Sequence, residues 1–453
     1  MAAEISALVF CCFLQKDLKS NMFQMPINKF FTAGRIRIAA ITIVAMAAMW
    51  NMFKVFQLAI DVPIEDDWDY LAAVEPLSWK NIFAVHVQHR IVFTRLMLHL
   101  SYLFDSLNFR HLVLANYPVY LAFAGVVMLI FRQEIKRYPG FILFFLPFFS
   151  DAAQTNLLWT GQSSFHFMLL FGMLAVYFGF CCKNSWGNAA IFTVCLAAST
   201  FSMSPLLAVE ILGCWGIRQI VSTVNTNDTQ KKKTLIMQTA AVVIAAGTAA
   251  GVFFISYDPA KFSHPAIPDF LFYTVVNIIK SFGLFTPETP VTIIGTITLL
   301  LVIPGIFSLI LIWRKKFLLL QTNGAELTII LWGVLFSTAI AWSRCGIMDW
   351  RHTEAVLPLI PAMGALLIRH FKQGKMPRIA SICFILMLTI SMLFSFSFRH
   401  SEIKNTQRQI GLRELRQWVE APQSKADIPS LYPGDGFREK IVHAQRLNIS
   451  CLK

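Results

Sequence analysis

The stretch KKKTLIMQTAAVVIAAGTAAGVFFIS (231–256) sets three lysines before a long run that carries no charge at all. As an α-helix, 234–256 would extend about 34 Å at 1.5 Å per residue, enough to cross a hydrocarbon layer about 30 Å thick. A soluble helix of that length needs a polar face, and this one has none. The lysines mark its cytoplasmic end, because basic residues accumulate in the loops on that side.

The same pattern recurs outward from this stretch, at about 38–56, 111–131, 140–156, 162–182, 188–202, 204–220, 290–313, 326–342, 354–369 and 377–398. The reading is an all-α polytopic membrane protein with a bundle of about 11 transmembrane helices. Composition agrees: 56% of the 453 residues are hydrophobic and 14% charged, against roughly 25% charged in a soluble domain.

Eighteen of the 39 basic residues lie before the first span or in short segments at the ends of later ones: Lys16, Lys19, Lys29, Arg35 and Arg37 before the first, RQEIKR (132–137), Arg218 with Lys231–Lys233, Arg314–Lys316, and Arg369–Lys375. The net charge of +14 therefore follows from topology, and no nucleic-acid partner is implied. The nine cysteines have no metal-site or disulfide-framework spacing. Residues 6–14 are apolar but short and lack a small-residue cleavage site, so they are not read as a cleaved signal peptide.

Segment 91–109 (IVFTRLMLHLSYLFDSLNF) would push RQEIKR to the wrong side if it spanned the membrane. It is read instead as an amphipathic helix on the outer interface, with Arg95, His99 and Tyr102 on one face. A second interfacial helix is expected within 257–289. The chain then divides into a membrane domain, 1–398, with a long first outer loop at 57–110, and a small soluble helical tail on the outer side, 399–453.

The first outer loop opens with DVPIEDDWDY (61–70), which places Glu65, Asp66, Asp67 and Asp69 just beyond a span. Carboxylates in such a place could take a proton from an attacking hydroxyl or hold a divalent cation, the one cofactor the pattern suggests. A solvated acidic loop is the plainer alternative. His86, His89, Arg90, Arg95 and His99 follow in the same loop; guanidinium groups match phosphate oxygens bidentately, while snorkelling and structural pairing are the bland alternatives. AQTNLLWTGQSSFH (153–166) adds Gln154, Asn156, Trp159, Gln162 and His166, suited to hydroxyl-rich ligands or simply to capping. SRCGIMDWRHTE (343–354) adds Arg344, Arg351 and His352. Four arginines facing an acidic cluster point to an anionic substrate head group.

In EDDWDY (65–70), HVQHRIVFTRL (86–96), TNLLWTGQSSF (155–165), FSMSP (201–205) and LYPGDG (431–436), the chain resembles GT-C glycosyltransferases. More finely, it resembles bacterial serotype-converting O-antigen glucosyltransferases and related membrane proteins. That resemblance implies a GT-C-like bundle in the bacterial inner membrane with its active site facing the periplasm. It also implies a polyprenyl-phosphate-linked sugar donor, a glycan acceptor such as O-antigen or lipopolysaccharide, and a catalytic base in the first loop, carried here by Asp66, Glu65 or Asp67. His86, His89, Arg90, Arg95, Gln162, Arg344, Arg351 and His352 would bind substrate, with the arginines on the lipid phosphate. A polysaccharide polymerase or ligase, and a lipid-linked sugar flippase or transporter, are the alternatives.

Overall fold

The computed structural model describes residues 33–71, 74, 78–86, 89–256, 266–283, 323–344, 350–372, 399–422, 428, 430–432 and 436–452. Every regular element among them is a helix. Six are long and apolar enough to cross a membrane: Gly34–Leu58, Phe109–Ile130, Thr160–Cys181, Leu206–Val224, Thr229–Phe254 and Gly324–Ser343. The chain thus has the make-up of a multi-pass membrane protein.

The expected spans divide three ways. Six coincide with those long helices. Three are shorter or broken: 188–202 forms the helix Trp186–Ser202, 354–369 forms a 3-10 turn and the helix Leu359–Lys372, and 140–156 is not one α-helix. Two, 290–313 and 377–398, lie outside the described residues. Among the described residues, six of the eleven expected spans are long apolar helices.

The broken span has a local cause. PGFILFFLPFF folds as a 3-10 run, Pro139–Phe149, followed by the short helix Asp151–Leu157. Pro147 has no N–H to donate and its ring clashes with the carbonyl four residues back, so an α ladder cannot run through it. Side chains satisfy carbonyls of this run instead: the Tyr120 hydroxyl donates to Phe148 O, and Ser150 Oγ donates to Pro147 O at 2.7 Å. Phe141, Phe145 and Phe148 are fully buried, and the run packs against the first span, Ala33–Leu58.

The segment expected at the interface forms the helix Val92–Asp105. At about 21 Å long it is too short to cross a bilayer. Arg95, Leu98 and His99 are buried beneath it, while Leu100, Leu103 and Phe104 are exposed, which is the sidedness of a helix lying along a membrane surface. Ile267–Gly283 likewise exposes Ile267, Leu271 and Val275 at four-residue spacing.

Two hydrophobic cores result. The larger joins the spans and the Phe-rich 3-10 run. The smaller joins the first loop (Ile64, Trp68, Tyr70, Leu71), the interfacial helix (Leu98) and the tail (Leu415, Leu431, Phe437, Ile441). The tail, built from the helices Arg399–Glu420 and Phe437–Arg446, therefore folds onto the first loop rather than standing apart from it. Trp68 meets Phe437 edge-on at 4.8 Å, and Ser450 binds the backbone of Ser106 and Leu107.

Candidate functional site

The acidic motif is a single helical turn. Backbone bonds from Asp67 N to Ile64 O, Asp69 N to Asp66 O and Tyr70 N to Asp66 O wind residues 64–70 tightly. Glu65 opens the turn at φ 47°, a left-handed conformation uncommon for a side chain of this kind. Its N–H is held by Leu431 O of the tail at 2.6 Å. The i, i+3 spacing puts Asp66 and Asp69 on one face and sends Asp67 to the other.

Asp67 is 1% exposed. Ile64 N donates to its Oδ2 at 3.3 Å, and Gly161 lies so close that a Cβ there would stand 3.0 Å from Oδ1. Burial drives its carboxyl well above the usual range, only partly opposed by the Ile64 and Gly161 amides. Burial thus favours the protonated form of Asp67, with Gly161 as the small residue that admits it.

Asp66 and Asp69 face His86. One ligand atom from each of the three lies within 4.8 Å of the other two, and all three residues are half-buried. His86 is positioned by reciprocal backbone bonds with His89, both 2.8 Å, and by the Tyr70 ring edge-on at 4.6 Å. Burial lowers its pKa, against the pull of Asp66 and Asp69, and favours the neutral imidazole. Its Nε2 has no hydrogen-bond partner among the described residues. Two carboxylates and a neutral imidazole at this separation form a donor set a small cation accepts, and equally a place for a hydroxyl to lose a proton.

The tail supplies cations to this turn. Lys440 Nζ forms an ion pair with Asp69, and Tyr432 OH donates to Asp69 Oδ1 at 3.4 Å. Burial pulls the Lys440 ammonium down, but Asp69 more than reverses this and holds it above its ordinary value. Arg408, from Arg399–Glu420, is buried and donates to Leu158 O at 3.2 Å. Burial lowers its guanidinium to about 10, opposed by Glu65 and Asp67.

Arg90 and Arg95 do different work from that expected of them. Arg90 Nε donates to Phe253 O at 2.8 Å, and its two remaining nitrogens reach Ile255 O and Phe83 O. Arg95 Nη1 donates to Asn81 O at 2.9 Å, Ile82 O at 3.3 Å and Ala84 O. These carbonyls lie at the C-terminal ends of Thr229–Phe254 and Trp79–Phe83, where helices leave acceptors unsatisfied and favour positive charge. Both arginines clamp helix ends and thereby hold the loop in place. The side chains of Arg344 and Arg351 lie outside the described residues. His352 is buried against the rings of Phe165 and Phe336. Gln162 is 8% exposed in the turn Thr160–Gln162, next to the Gly161 that meets Asp67.

A second polar cluster is fully buried. His166 Nδ1 lies 2.7 Å from Asn116 Oδ1, and its Nε2 lies 2.8 Å from Glu354 Oε1. Asn156 donates to Glu354 Oε2 at 2.8 Å, and all four residues are fully buried. The sequence pointed to Asn156 and His166 but missed Glu354, Asn116, Lys440, Tyr432 and Arg408.

No family model, curated protein or solved structure matches the chain.

Proposed function

We propose that the chain is a membrane glycosyltransferase. It moves a sugar from a polyprenyl-phosphate-linked donor to a cell-surface glycan, at a site facing away from the cytoplasm in a bacterial inner membrane. The carrying observation is Asp66: a half-buried carboxylate with no ion pair among the described residues, grouped with a neutral imidazole on a loop that leads directly from a span. Asp67 is too deeply buried to meet an acceptor, and the Glu65 carboxylate interacts with the buried Arg408 guanidinium. In this reading Asp66 takes the proton of the acceptor hydroxyl as it attacks the anomeric carbon. The bond to the donor phosphate breaks, and because that phosphate leaves as a stable anion, no second carboxyl is needed to protonate it. Arg344 and Arg351 are the cations assigned to the phosphate.

A flippase would instead place its ionisable groups in a path through the bundle. Among the described residues His166 and Glu354 are such groups, but both are fully buried. The test incubates purified protein with radiolabelled polyprenyl-phosphate hexoses and candidate glycan acceptors, beside the Asp66→Asn variant. Transfer by the native chain and none by the variant is expected. No transfer with any donor, or equal transfer by both proteins, overturns the reading.

A further inference from the structure

An acidic pair with a histidine at metal-ligand spacing invites a divalent cation, yet this one already has a cation of its own. We propose that Lys440 is the resident counter-ion of the Asp66/Asp69/His86 cluster, taking the place of a metal ion and leaving Asp66 as its single open carboxylate. Lys440 Nζ contacts Asp69 Oδ1, on one of the two carboxylates a metal would need. It also lies 5.0 Å from the Tyr432 ring centre, and Tyr432 OH reaches the same Asp69 oxygen.

The ammonium is therefore held in a cage of one carboxylate and one aromatic face, a favourable setting for a cation. It is not a loose surface side chain. The helix that carries it, Phe437–Arg446, buries Phe437, Ile441 and Ala444 in the core shared with Trp68 and Leu71. His443, one turn from Lys440, reaches Leu71 O with its Nε2 at 3.3 Å. Seated on the same oxygen, a divalent ion would meet a like charge at close range and would first have to displace the lysine. Asp69 is consequently a positioning residue, and Lys440 determines which of the two acids stays available.

This inference does not rest on the transferase reading, since it is tested without sugar or lipid donor. Mn²⁺ is titrated into the full-length protein in detergent and free ion is followed by electron paramagnetic resonance. The native chain should take up no Mn²⁺ at this site. Lys440→Met, which keeps an apolar stem against Tyr432 but loses the charge, should bind a single Mn²⁺ at least about tenfold more tightly than the native chain. Adding Asp66→Asn should abolish that gain, and Lys440→Arg should behave as the native chain does. Uptake by the native protein that disappears in Asp66→Asn overturns the proposal without any lysine variant. Should Lys440→Met fold poorly, Lys440→Gln serves the same purpose. A folded neutral variant that binds no Mn²⁺ also overturns it.

Discussion

His86 and His166 illustrate two ways of placing an imidazole beside a carboxylate. His166 is fully buried, with Asn116 on one ring nitrogen and Glu354 on the other, and Asn156 holds the second oxygen of that acid. His86 is half-buried between Asp66 and Asp69, and its Nε2 meets no partner among the described residues. A network wholly buried between helices can specify how they meet, but it lies away from the surface a ligand first reaches. An open one contributes less to the fold and is free for chemistry.

The difference is sharpest under mutation. Asp66→Asn should lower transfer by about 10²–10⁴-fold, the usual cost of losing a general base, with the thermal midpoint in detergent almost unchanged. A midpoint that fell with the rate would make Asp66 a structural residue. For the buried network the effects reverse. His166→Ala strands Glu354 inside the bundle and should cost about 3–5 kcal/mol of stability, while His86→Ala should cost about 1 kcal/mol or less. Thermal unfolding of the two variants side by side measures the contrast, and equal losses would erase it.

A smaller effect is expected at Gly161, where a Cβ would stand 2.9 Å from the Tyr70 ring as well as against Asp67. Gly161→Ala should destabilise by about 1–3 kcal/mol, as overpacking does. Gly216→Ala, with nothing within 4 Å of the new atom, should be neutral or gain up to about 1 kcal/mol from helix propensity.

The smallest prediction concerns pH. The folded chain holds the Asp67 proton more tightly than the unfolded chain does, because burial raises that carboxyl. Asp67 therefore favours folding below the ordinary carboxylate pKa, and this contribution is lost as pH rises toward the raised value. Asp67→Asn should flatten the fall in thermal midpoint across that interval; an unchanged slope would mean the group is already ionised when folded.

The long spans were legible because uncharged runs near twenty residues admit one solvent. The helix Val92–Asp105, too short to span, was legible from its charged face together with the charges of RQEIKR. The broken span at 140–156 was misread although Pro147 announced it: a run so rich in phenylalanine outweighed one residue that cannot donate. The acidic turn could be named in advance, but its orientation could not. Which acid faces inward depends on Leu431, Arg408 and Gly161, all distant in sequence. The Arg90 clamp was equally hidden, since the carbonyl it meets at Phe253 lies 163 residues away. One available signal passed unused: Ser401, Asn405 and Arg408 form a buried stripe at helical spacing, a sign that the tail's polar helix has a partner.

The ion pair between Asp69 and Lys440 joins residues separated by 371 positions, and this orders events during synthesis. At ~5–20 residues per second, roughly 20–75 s pass between the emergence of the acidic turn and that of its lysine. Through that interval the loop is made but carries uncompensated negative charge beside a growing membrane bundle. The cluster closes only after Lys440 has been translated, so a ribosome that stops before that position leaves the acidic turn made but its ion pair unformed.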